Sequence, residues 1–457
     1  MKGKSFSISC GIAALIVLIC FMQAPAYGDS GTTKTAPQKV VFWHMWTGEW
    51  QKVVARIVAS FNDSQSDYKV AALSVPAFQN NDMANTKLLM SVAGGDPPDC
   101  MAQWNPVIPS WASEGALVPL DELMSKKEFA DLKETIFPIA WKTGAYKDRL
   151  YGLCLAMNVW SLYYRKDYFR EAGLDPEKFP THTHELDEIA RKLDVIDEDG
   201  KIKRIGFLPY MQVSAWNLPV IFWPPVFGGT YYDWDKQEVV VYNDGTLRAL
   251  EWVQSYTERY GLKRIINFMA SFQTGQLAAI DWPFISGGYA ITVDGQWRVE
   301  QLSKFAPELD YGTAAVPYPV DGGKKHAGWS YGNFMIVPKG AKFPDGAWAF
   351  MRYWAGIQDP DIGAEIATWG GWLPLKQSVI DSPVYQAYID KYPQFRTFVE
   401  ILPSENLQVT PPVAYQSYLQ SRMGQIAESV IRLSVTPQEA LDKLNTIVID
   451  QEEKLKR

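Results

Sequence analysis

Residues 151–164 read YGLCLAMNVWSLYY, a β-rich run of unusual length in this chain of 457 residues. The pattern extends from Leu150 to Tyr164, whereas a typical strand has about 5–6 residues. A strand that leaves one domain and enters a second would explain the excess. We therefore predict that this run crosses between two domains; a prior of roughly 150 residues per domain suggests two or three domains in the chain.

Strand and helix patterns alternate in the segment that precedes the run. β-rich stretches predict strands at Lys39–Trp43, Tyr68–Val75 and Cys100–Gln103. Apolar residues at helical spacing predict helices at Trp50–Phe61 and Asp82–Val92. This βαβαβ order is typical of a parallel sheet covered by helices, and it places the segment in the α/β class.

The segment that follows the run mixes helices with short strands. The predicted elements, in chain order, are a helix at Glu185–Leu193 with Thr183 as its N-cap, a hairpin turn at Asp199-Gly200, a helix at Asn243–Tyr260, strands at Tyr289–Val293, Tyr311–Val316 and Phe334–Val337, and a helical tail from Ala414 to Lys456 whose last helix opens at Thr436-Pro437.

The N-terminus has the pattern of a secretory signal. Lys2 and Lys4 precede the apolar run Ile12–Phe21, and small residues surround Tyr27 at a predicted cleavage site. We predict that residues 1–28 are a cleaved signal peptide and that the protein is periplasmic. An uncleaved anchor is the alternative; a lipoprotein attached through Cys20 is disfavoured because the bulky Ile19 precedes it.

Two cysteines, Cys100 and Cys154, follow the predicted signal. An oxidising compartment would permit a disulfide between them. Two cysteines do not make a disulfide framework, however, and we expect two buried thiols.

Charge and motifs exclude several classes of function. The formal net charge is −7, which argues against nucleic acid or an anionic membrane as a partner. The chain has no phosphate-binding loop, no G-x-S-x-G and no Cys-x-x-Cys. His184-Glu185 opens like a zinc motif, but Glu188 stands where the second histidine is required. We therefore predict no catalytic residue, no metal and no cofactor.

Tryptophan is the outlier in composition, with 18 residues, all of them after residue 28. Some must belong to the core, as large aromatic side chains usually do. Many, however, lie beside Gly, Pro and polar residues and outside periodic apolar runs. That placement indicates the wall of a cleft.

Six segments in order resemble the sugar-binding family of extracellular solute-binding proteins of ABC importers, which share a maltose-binding-protein-like fold. They are VVFWHMWTGEW (40–50), KLLMSVAGGDPPD (87–99), YGLCLAMNVWSLYYRKDYFREAGLD (151–175), VDGQW (293–297), VPKGAKFPDGAWAFMRYW (337–354) and GGWLP (370–374). The resemblance covers essentially the whole chain after the signal. One departure is Cys154, where the family usually has proline, and it puts the local strand geometry in question.

The resemblance implies a two-lobed α/β periplasmic-binding-protein fold of type II, with lobes joined by crossing strands and a ligand cleft between them. It implies an N-terminal lobe of residues 29–157 plus 329–355 and a C-terminal lobe of residues 158–328 plus 356–457. The implied function is to capture a sugar as a monomer and deliver it to the membrane permease subunits of an ABC transporter. Hinge closure on the ligand would produce the form that the importer recognises.

The predicted ligand-binding residues lie mostly in loops at strand ends, where open α/β sheets bind ligands. They are Trp46, Glu49, Gln103, Trp104, Asn105, Asn158, Trp223, Asp294, Trp297 and Trp329. Trp297 matches a position that stacks on sugar in similar proteins. Asn158 could instead fix the hinge by a hydrogen bond, and Asp294 could bind a hydroxyl or cap its turn. Trp223 is preferred to Trp216, and Trp369 and Trp372 could close the cleft rim or pack on the surface.

Two other functions remain open at this point. A secreted carbohydrate-active enzyme would use paired carboxylates, for which Glu49, Asp96 and Asp294 are candidates without a selective spacing. The same fold could also bind a polyol, glycerol phosphate or a peptide. A phosphate ligand requires Arg or Lys in the cleft, and the loops named above carry few.

Overall fold

The computed structural model describes residues 36–75, 82–104, 107–210, 218–272 and 282–455. The predicted signal peptide, Asn105 and Trp216 lie outside these ranges, and so does the side chain of Trp104. Everything described below belongs to one unit, Pro37–Arg457. None of the helices within the described ranges is both long and apolar enough to cross a membrane.

The described elements are as follows. The strands are β1 (Gln38–His44), β2 (Tyr68–Ser74), β3 (Cys100–Trp104), β4 (Ala145–Tyr146), β5 (Arg149–Leu150), β6 (Gly152–Arg165), β7 (Val195–Ile196), β8 (Ile202–Arg204), β9 (Tyr232–Asp233), β10 (Glu238–Val239), β11 (Ile291–Gly295), β12 (Tyr311–Ala314), β13 (Gly328–Ile336) and β14 (Leu407–Gln408). The helices are α1 (Gly48–Ser64), α2 (Asp82–Ala93), α3 (Ile108–Ser113), α4 (Lys126–Thr135), α5 (Pro138–Gly144), α6 (Lys166–Glu171), α7 (Thr183–Leu193), α8 (Leu218–Ile221), α9 (Trp223–Val226), α10 (Asp244–Tyr260), α11 (Leu262–Ala270), α12 (Pro283–Ser286), α13 (Trp297–Phe305), α14 (Pro344–Trp354), α15 (Pro360–Gly370), α16 (Gln377–Ile380), α17 (Pro383–Lys391), α18 (Arg396–Ile401), α19 (Gln416–Ile431) and α20 (Pro437–Leu455).

The first five elements form the predicted βαβαβ unit. β1 pairs in parallel with both β2 and β3, so it lies in the middle of this part of the sheet. Helix α1 turns Val54, Ile57 and Phe61 inward, the face that the helical spacing predicts. The apolar face exists because those side chains recur every three or four residues, and its burial against the sheet stabilises the unit.

A buried carboxylate, Asp99, ties this unit to a distant helix. One oxygen accepts a hydrogen bond from the backbone N–H of Val41 on β1 at 2.7 Å. The other oxygen accepts from the N–H of Phe343, which precedes α14, at 2.8 Å. Because Asp99 is only 3 % exposed, both bonds are protected from water.

The largest sheet has the strand order β11-β6-β13-β3-β1-β2, with β12 also on β6 and β14 also on β13. β13 runs antiparallel to both β3 and β6, although β3 is parallel to β1. Strands that are far apart in sequence therefore lie in one sheet, since β1 and β13 are separated by more than two hundred residues.

β6 has 14 residues and is buried along its whole length, which confirms the prediction of one unusually long strand. Its first half, Gly152–Val159, pairs with β13. Its second half pairs with β11 from Trp160 onward and with β12 from Leu162 onward. The strand thus changes partners between Val159 and Trp160. The lobe boundaries predicted from the resemblance stay a prediction.

β13 also changes partners along its length. Its last four residues, Asn333–Ile336, pair with β3. Its first two residues, Gly328 and Trp329, pair with β14. A β-bulge between Asn333 and Phe334 shifts the register against β6. Bulges bend a strand and increase its local twist, so β13 can reach both sets of partners.

The structure tests two local predictions, the N-cap of α7 and the state of the two cysteines. Helix α7 begins at Thr183, and His182 takes the N-cap position, so the prediction that Thr183 caps the helix is wrong by one residue. The cause is Glu185, whose carboxylate reaches back and accepts from the N–H groups of Thr181 and His182. Cys100 and Cys154 are both buried free thiols, as expected, and burial raises the pKa of each.

Replacing Asp99 tests how much its two hydrogen bonds contribute to the stability of the protein. Asp99→Ala leaves the N–H groups of Val41 and Phe343 without their acceptor, and we expect it to lower the free energy of unfolding by about 1–3 kcal/mol. Urea unfolding followed by far-UV circular dichroism measures the change. The control is Asp96→Ala, three residues away, which removes only an exposed ion pair with Lys342 and should change little. Equal losses in the two variants would contradict this role of Asp99.

Candidate functional site

Four aromatic rings gather where β6 and β13 change partners. They come from Trp160 on β6, Trp297 at the start of α13, and Trp329 and Tyr331 on β13, and we call them the crossing cluster. Trp329 and Tyr331 stack with ring centroids 4.6 Å apart. Trp160 meets Trp297 edge-on at 5.3 Å and lies 6.4 Å from Trp329. Such geometries are favourable between aromatic rings.

Strand geometry explains why these rings meet. Residues two apart on a strand point to the same face, so Trp329 and Tyr331 share one face of β13. Asn158 and Trp160 share one face of β6 in the same way, and Asn158 lies directly opposite Tyr331 in the register. Trp160 is in turn opposite Gly295, two residues before Trp297. Two strand pairings therefore fix the positions of all four rings.

The crossing cluster contains hydrogen-bond donors for which the described residues supply no acceptor. Trp160 and Trp329 are 5 % and 8 % exposed, whereas Trp297 and Tyr331 are half-buried. The indole N–H groups of Trp160 and Trp329 are buried and have no acceptor within the described part of the chain. Because buried donors are nearly always hydrogen-bonded, these two favour an acceptor supplied by a bound molecule or by water.

Polar side chains line the β6 side of the crossing cluster. Asn158 is 5 % exposed, and its Oδ1 accepts from Nε2 of Gln296 at 2.9 Å. Its backbone carbonyl accepts from the hydroxyl of Ser330 at 2.8 Å. Asn158 thus lies within the predicted site, with its side-chain oxygen engaged by the protein.

Arg298, the cation directly after Trp297, forms an ion pair with Asp294. Arg298 donates from Nε to Oδ2 of Asp294 at 2.8 Å, and its guanidinium lies over the ring of Trp282. Asp294 is completely buried, and its Oδ1 accepts from the N–H of Gly295. Asp294 was predicted either to bind a hydroxyl or to cap its turn. These contacts are those of a residue that fixes the turn. The pair leaves little net charge beside the rings.

A second group of rings, the tryptophan stack, consists of Trp46, Trp354 and Trp372. Trp354 stacks on Trp46 at 5.5 Å and on Trp372 at 5.7 Å. Burial lowers the pKa of the neighbouring His44 to about 4, so this imidazole is neutral at pH 7. Trp46 is 8 % exposed and therefore packs mainly against protein. The predicted contribution of this residue to a ligand site stays a prediction.

Backbone and side-chain contacts connect the tryptophan stack with the crossing cluster. The N–H of Met157 on β6 donates to the carbonyl of Leu373, the residue after Trp372, at 2.8 Å. Glu300 lies one turn after Trp297 on α13, and its carboxylate closely approaches Gly371. Burial raises the pKa of Glu300. The turn that carries Trp372 therefore packs against both β6 and α13.

Two tryptophans fold their rings back over a glycine two residues earlier. A Cβ atom on Gly295 would lie 2.1 Å from the ring of Trp297, and one on Gly370 would lie 2.4 Å from the ring of Trp372. Only glycine leaves room for such contacts. These glycines are therefore part of what positions the rings.

Other predicted site residues lie elsewhere. Trp223 is completely buried among Phe207, Phe222 and Trp252, and its N–H donates to the carbonyl of Pro209. It is a core residue, and we correct its assignment to the cleft wall; a tryptophan next to prolines in sequence can still be enclosed by later helices.

Glu49 is exposed in the first turn of α1 and forms an ion pair with Lys52 at 2.8 Å. Gln103 is fully buried on β3, opposite Phe334. Trp104 ends β3 opposite Asn333. Trp369 is partly buried beneath the guanidinium of Arg56.

Three residues of the arrangement were not predicted: Trp160, Tyr331 and Gln296. A signal for two of them was present. Trp160 follows the predicted Asn158 by two residues on one strand, and Tyr331 follows the predicted Trp329 by two. Gln296 carries no such signal, because its role depends on a turn that brings it against β6.

Comparisons with known proteins agree with the predicted resemblance to extracellular solute-binding proteins. Residues 56–396 match the family model of bacterial extracellular solute-binding proteins. The chain is 25% identical over 424 residues to the sn-glycerol-3-phosphate-binding periplasmic protein UgpB of Salmonella paratyphi A, an alignment that covers 88% of this chain and 90% of the relative. It is 24% identical over 442 residues to UgpB of Yersinia enterocolitica, covering 93% and 94%.

Solved structures agree on the fold. CpMnBP1 with mannotriose bound has a TM-score of 0.74 and 25% identity, covering 90% of this chain and 100% of that one. The sugar-binding protein MalE from Xanthomonas citri has a TM-score of 0.74 and 21% identity, covering 92% and 100%. These likenesses confirm the predicted two-lobed α/β fold.

A double-mutant cycle tests the contact between Gly295 and Trp297. Gly295→Ala places a methyl group where the indole ring lies, and we expect it to destabilise the protein by about 1–3 kcal/mol. In a Trp297→Ala background the ring is gone, and the same substitution should cost much less. Urea unfolding of the four proteins gives the coupling free energy. A cost that is unchanged without the ring would show that Gly295 is needed for another reason.

Proposed function

We propose, from the premise that the chain belongs to the family of bacterial extracellular solute-binding proteins, that it captures a neutral sugar at the crossing cluster and delivers it to the membrane subunits of an ABC importer. The family match supports the binding role. The resemblance of the sequence to sugar receptors of ABC importers supports the delivery step.

One observation carries the choice of a sugar: half-buried aromatic faces lie beside two buried indole donors that have no acceptor among the described residues. A sugar ring has apolar C–H faces that can pack on Trp297 and Tyr331. Its rim of hydroxyl and ring oxygens supplies acceptors for the N–H groups of Trp160 and Trp329. Apolar walls with a few placed polar groups are typical of small-molecule sites.

Charge favours an uncharged ligand over glycerol phosphate, the ligand named for UgpB. Phosphate is usually bound by Arg or Lys with free donors. Asp294 already neutralises Arg298 beside the crossing cluster, and His44 is neutral. The internal segments outside the described ranges, residues 76–81, 105–106, 211–217 and 273–281, contain no Lys or Arg. CpMnBP1 with mannotriose bound is an example of the neutral class.

The positions of the acids support binding without catalysis. A glycosidase needs two carboxyl groups on either side of one bond, about 5–10 Å apart. Of the three candidates, Glu49 and Asp96 are exposed and paired with Lys52 and Lys342. Asp294 is buried and paired with Arg298. We therefore propose a receptor that releases its ligand unchanged.

We further propose that the receptor is a periplasmic monomer, exported by residues 1–28, whose lobes close around the sugar. The proposed lobes are residues 29–157 plus 329–355 and residues 158–328 plus 356–457. The change of partners on β6 between Val159 and Trp160 lies two residues after the proposed boundary and supports a division in this part of the strand. Closure requires that the ligand bind the closed form more tightly than the open form.

A thermal-shift screen tests the ligand class. The panel contains mannobiose, mannotriose, maltotriose, glycerol, glycerol 3-phosphate and a peptide mixture. A ligand at 100 times its Kd should stabilise the protein by about 2.7 kcal/mol, which is a clear shift in Tm. We expect a shift with at least one neutral sugar and none with glycerol 3-phosphate. A shift with glycerol 3-phosphate or peptides alone would overturn the assignment to sugars.

Trp297→Ala tests the stacking face. Because the ring is only half-buried, the apo Tm should fall slightly, while the shift caused by the bound sugar should disappear. Trp141→Ala is the control, since Trp141 is also partly buried but packs on Phe129 in a different part of the fold. It should lower Tm and keep the ligand shift. Retained binding in the Trp297 variant would place the sugar elsewhere.

A further inference from the structure

Gln296 occupies the short connection between β11 and α13, directly before Trp297. Its side chain is almost completely enclosed, at 1 % exposure. A buried carboxamide has two donor hydrogens and an acceptor oxygen that need partners. All of the partners described for this side chain lie on β6, so the residue belongs structurally to the crossing of the strands.

The carboxamide acts as a substitute for a strand residue. Its Oε1 accepts from the N–H of Val159 at 3.2 Å, and its Nε2 donates to the carbonyl of Met157 at 3.2 Å. A peptide group of a neighbouring strand would offer the same acceptor and donor to this edge. Further along the same edge, the N–H of Arg165 donates to Ala290 next to β11. The Gln296 side chain thus extends the β11 edge past the point where β11 ends.

The same side chain holds a polar residue of the site. Nε2 of Gln296 also donates to Oδ1 of Asn158 at 2.9 Å. The next residue along the chain is Trp297, and the residue after Val159 is Trp160. One side chain therefore links two rings of the crossing cluster to Asn158.

We propose that Gln296 is a positioning residue, which sets Trp297, Trp160 and Asn158 in the geometry that binds the ligand by completing the hydrogen bonds of β6. This inference rests on the proposed function of the crossing cluster. A purely structural residue would affect stability alone. Loss of the Gln296 carboxamide should instead weaken ligand binding in a protein that is still folded.

The decisive variant is Gln296→Glu, which keeps the shape of the side chain. An ionised carboxylate can accept from Val159 N–H but cannot donate to Met157 or Asn158, so repulsion replaces two hydrogen bonds. Burial and the facing oxygens raise the pKa of such a carboxyl group, so that it is protonated in mild acid and can donate again. The defect should therefore be large at neutral pH and partly reversed near about pH 5.

Two readouts follow the variant. The Kd for mannotriose, measured by isothermal titration calorimetry, should rise by about tenfold or more at neutral pH and recover in acid. The near-ultraviolet circular dichroism of the protein without ligand should change and recover in parallel, because Trp160 and Trp297 lose their mutual orientation. Wild-type protein should show neither pH effect.

Gln254→Leu is the matched control. Nε2 of Gln254 also donates to two backbone carbonyls, those of Val430 and Val435, but it joins α10 to the segment around α19. It should lower Tm and leave both readouts unchanged. If mannotriose fails to bind the wild type, the choice of sugar fails, while the circular dichroism still decides the role of Gln296. Spectra and Kd in Gln296→Glu that match the wild type at neutral pH would overturn the inference.

Discussion

The structure depends on the backbone hydrogen bonds of β6. A buried strand must satisfy every N–H and C=O group along both edges, and β6 is buried over all 14 residues. No single partner strand runs its full length, because β13 serves its first half and β11 and β12 serve its second. On the edge opposite β13, the partners at Met157 and Val159 are the carbonyl of Leu373 and the side chain of Gln296. At this interruption of the strand pairing, non-strand groups therefore satisfy the backbone hydrogen bonds of β6.

The aromatic rings collect at this interruption for a related reason. The register sets Asn158 opposite Tyr331 and Trp160 opposite Gly295, so large side chains on one face meet there. Trp160, Trp329 and Tyr331 come from the strands, and Trp297 comes from the adjoining helix. The N–H groups of Trp160 and Trp329 have no acceptor in the described part of the chain. The proposed sugar site therefore lies at the point where β6 changes partners, which agrees with the proposed closure of two lobes on the ligand.

Local pattern predicted much of this arrangement. The length of residues 150–164 indicated one unusually long strand that leaves one domain and enters another, and alternating strand and helix signals indicated the first α/β unit. Trp297 and Trp329 were selected by their place in loops and by resemblance. Trp223 was misassigned because its enclosure depends on Phe207 and Trp252, which are distant in sequence and leave no local signal. Gln296 was missed for the same reason: its partners on β6 lie more than a hundred residues earlier. Periodicity shows which side chains share a face, but not which turn will be folded against that face.

Burial of the two sulfur atoms in the sheet matters for the biogenesis of the protein. Cys100 and Cys154 stand on β3 and β6, both in the central sheet, and their raised pKa values keep them as unreactive thiols in the native state. Before folding, both are open to oxidants in an extracytoplasmic compartment. Enclosure of both thiols in the sheet therefore protects them from oxidation only once the sheet has formed.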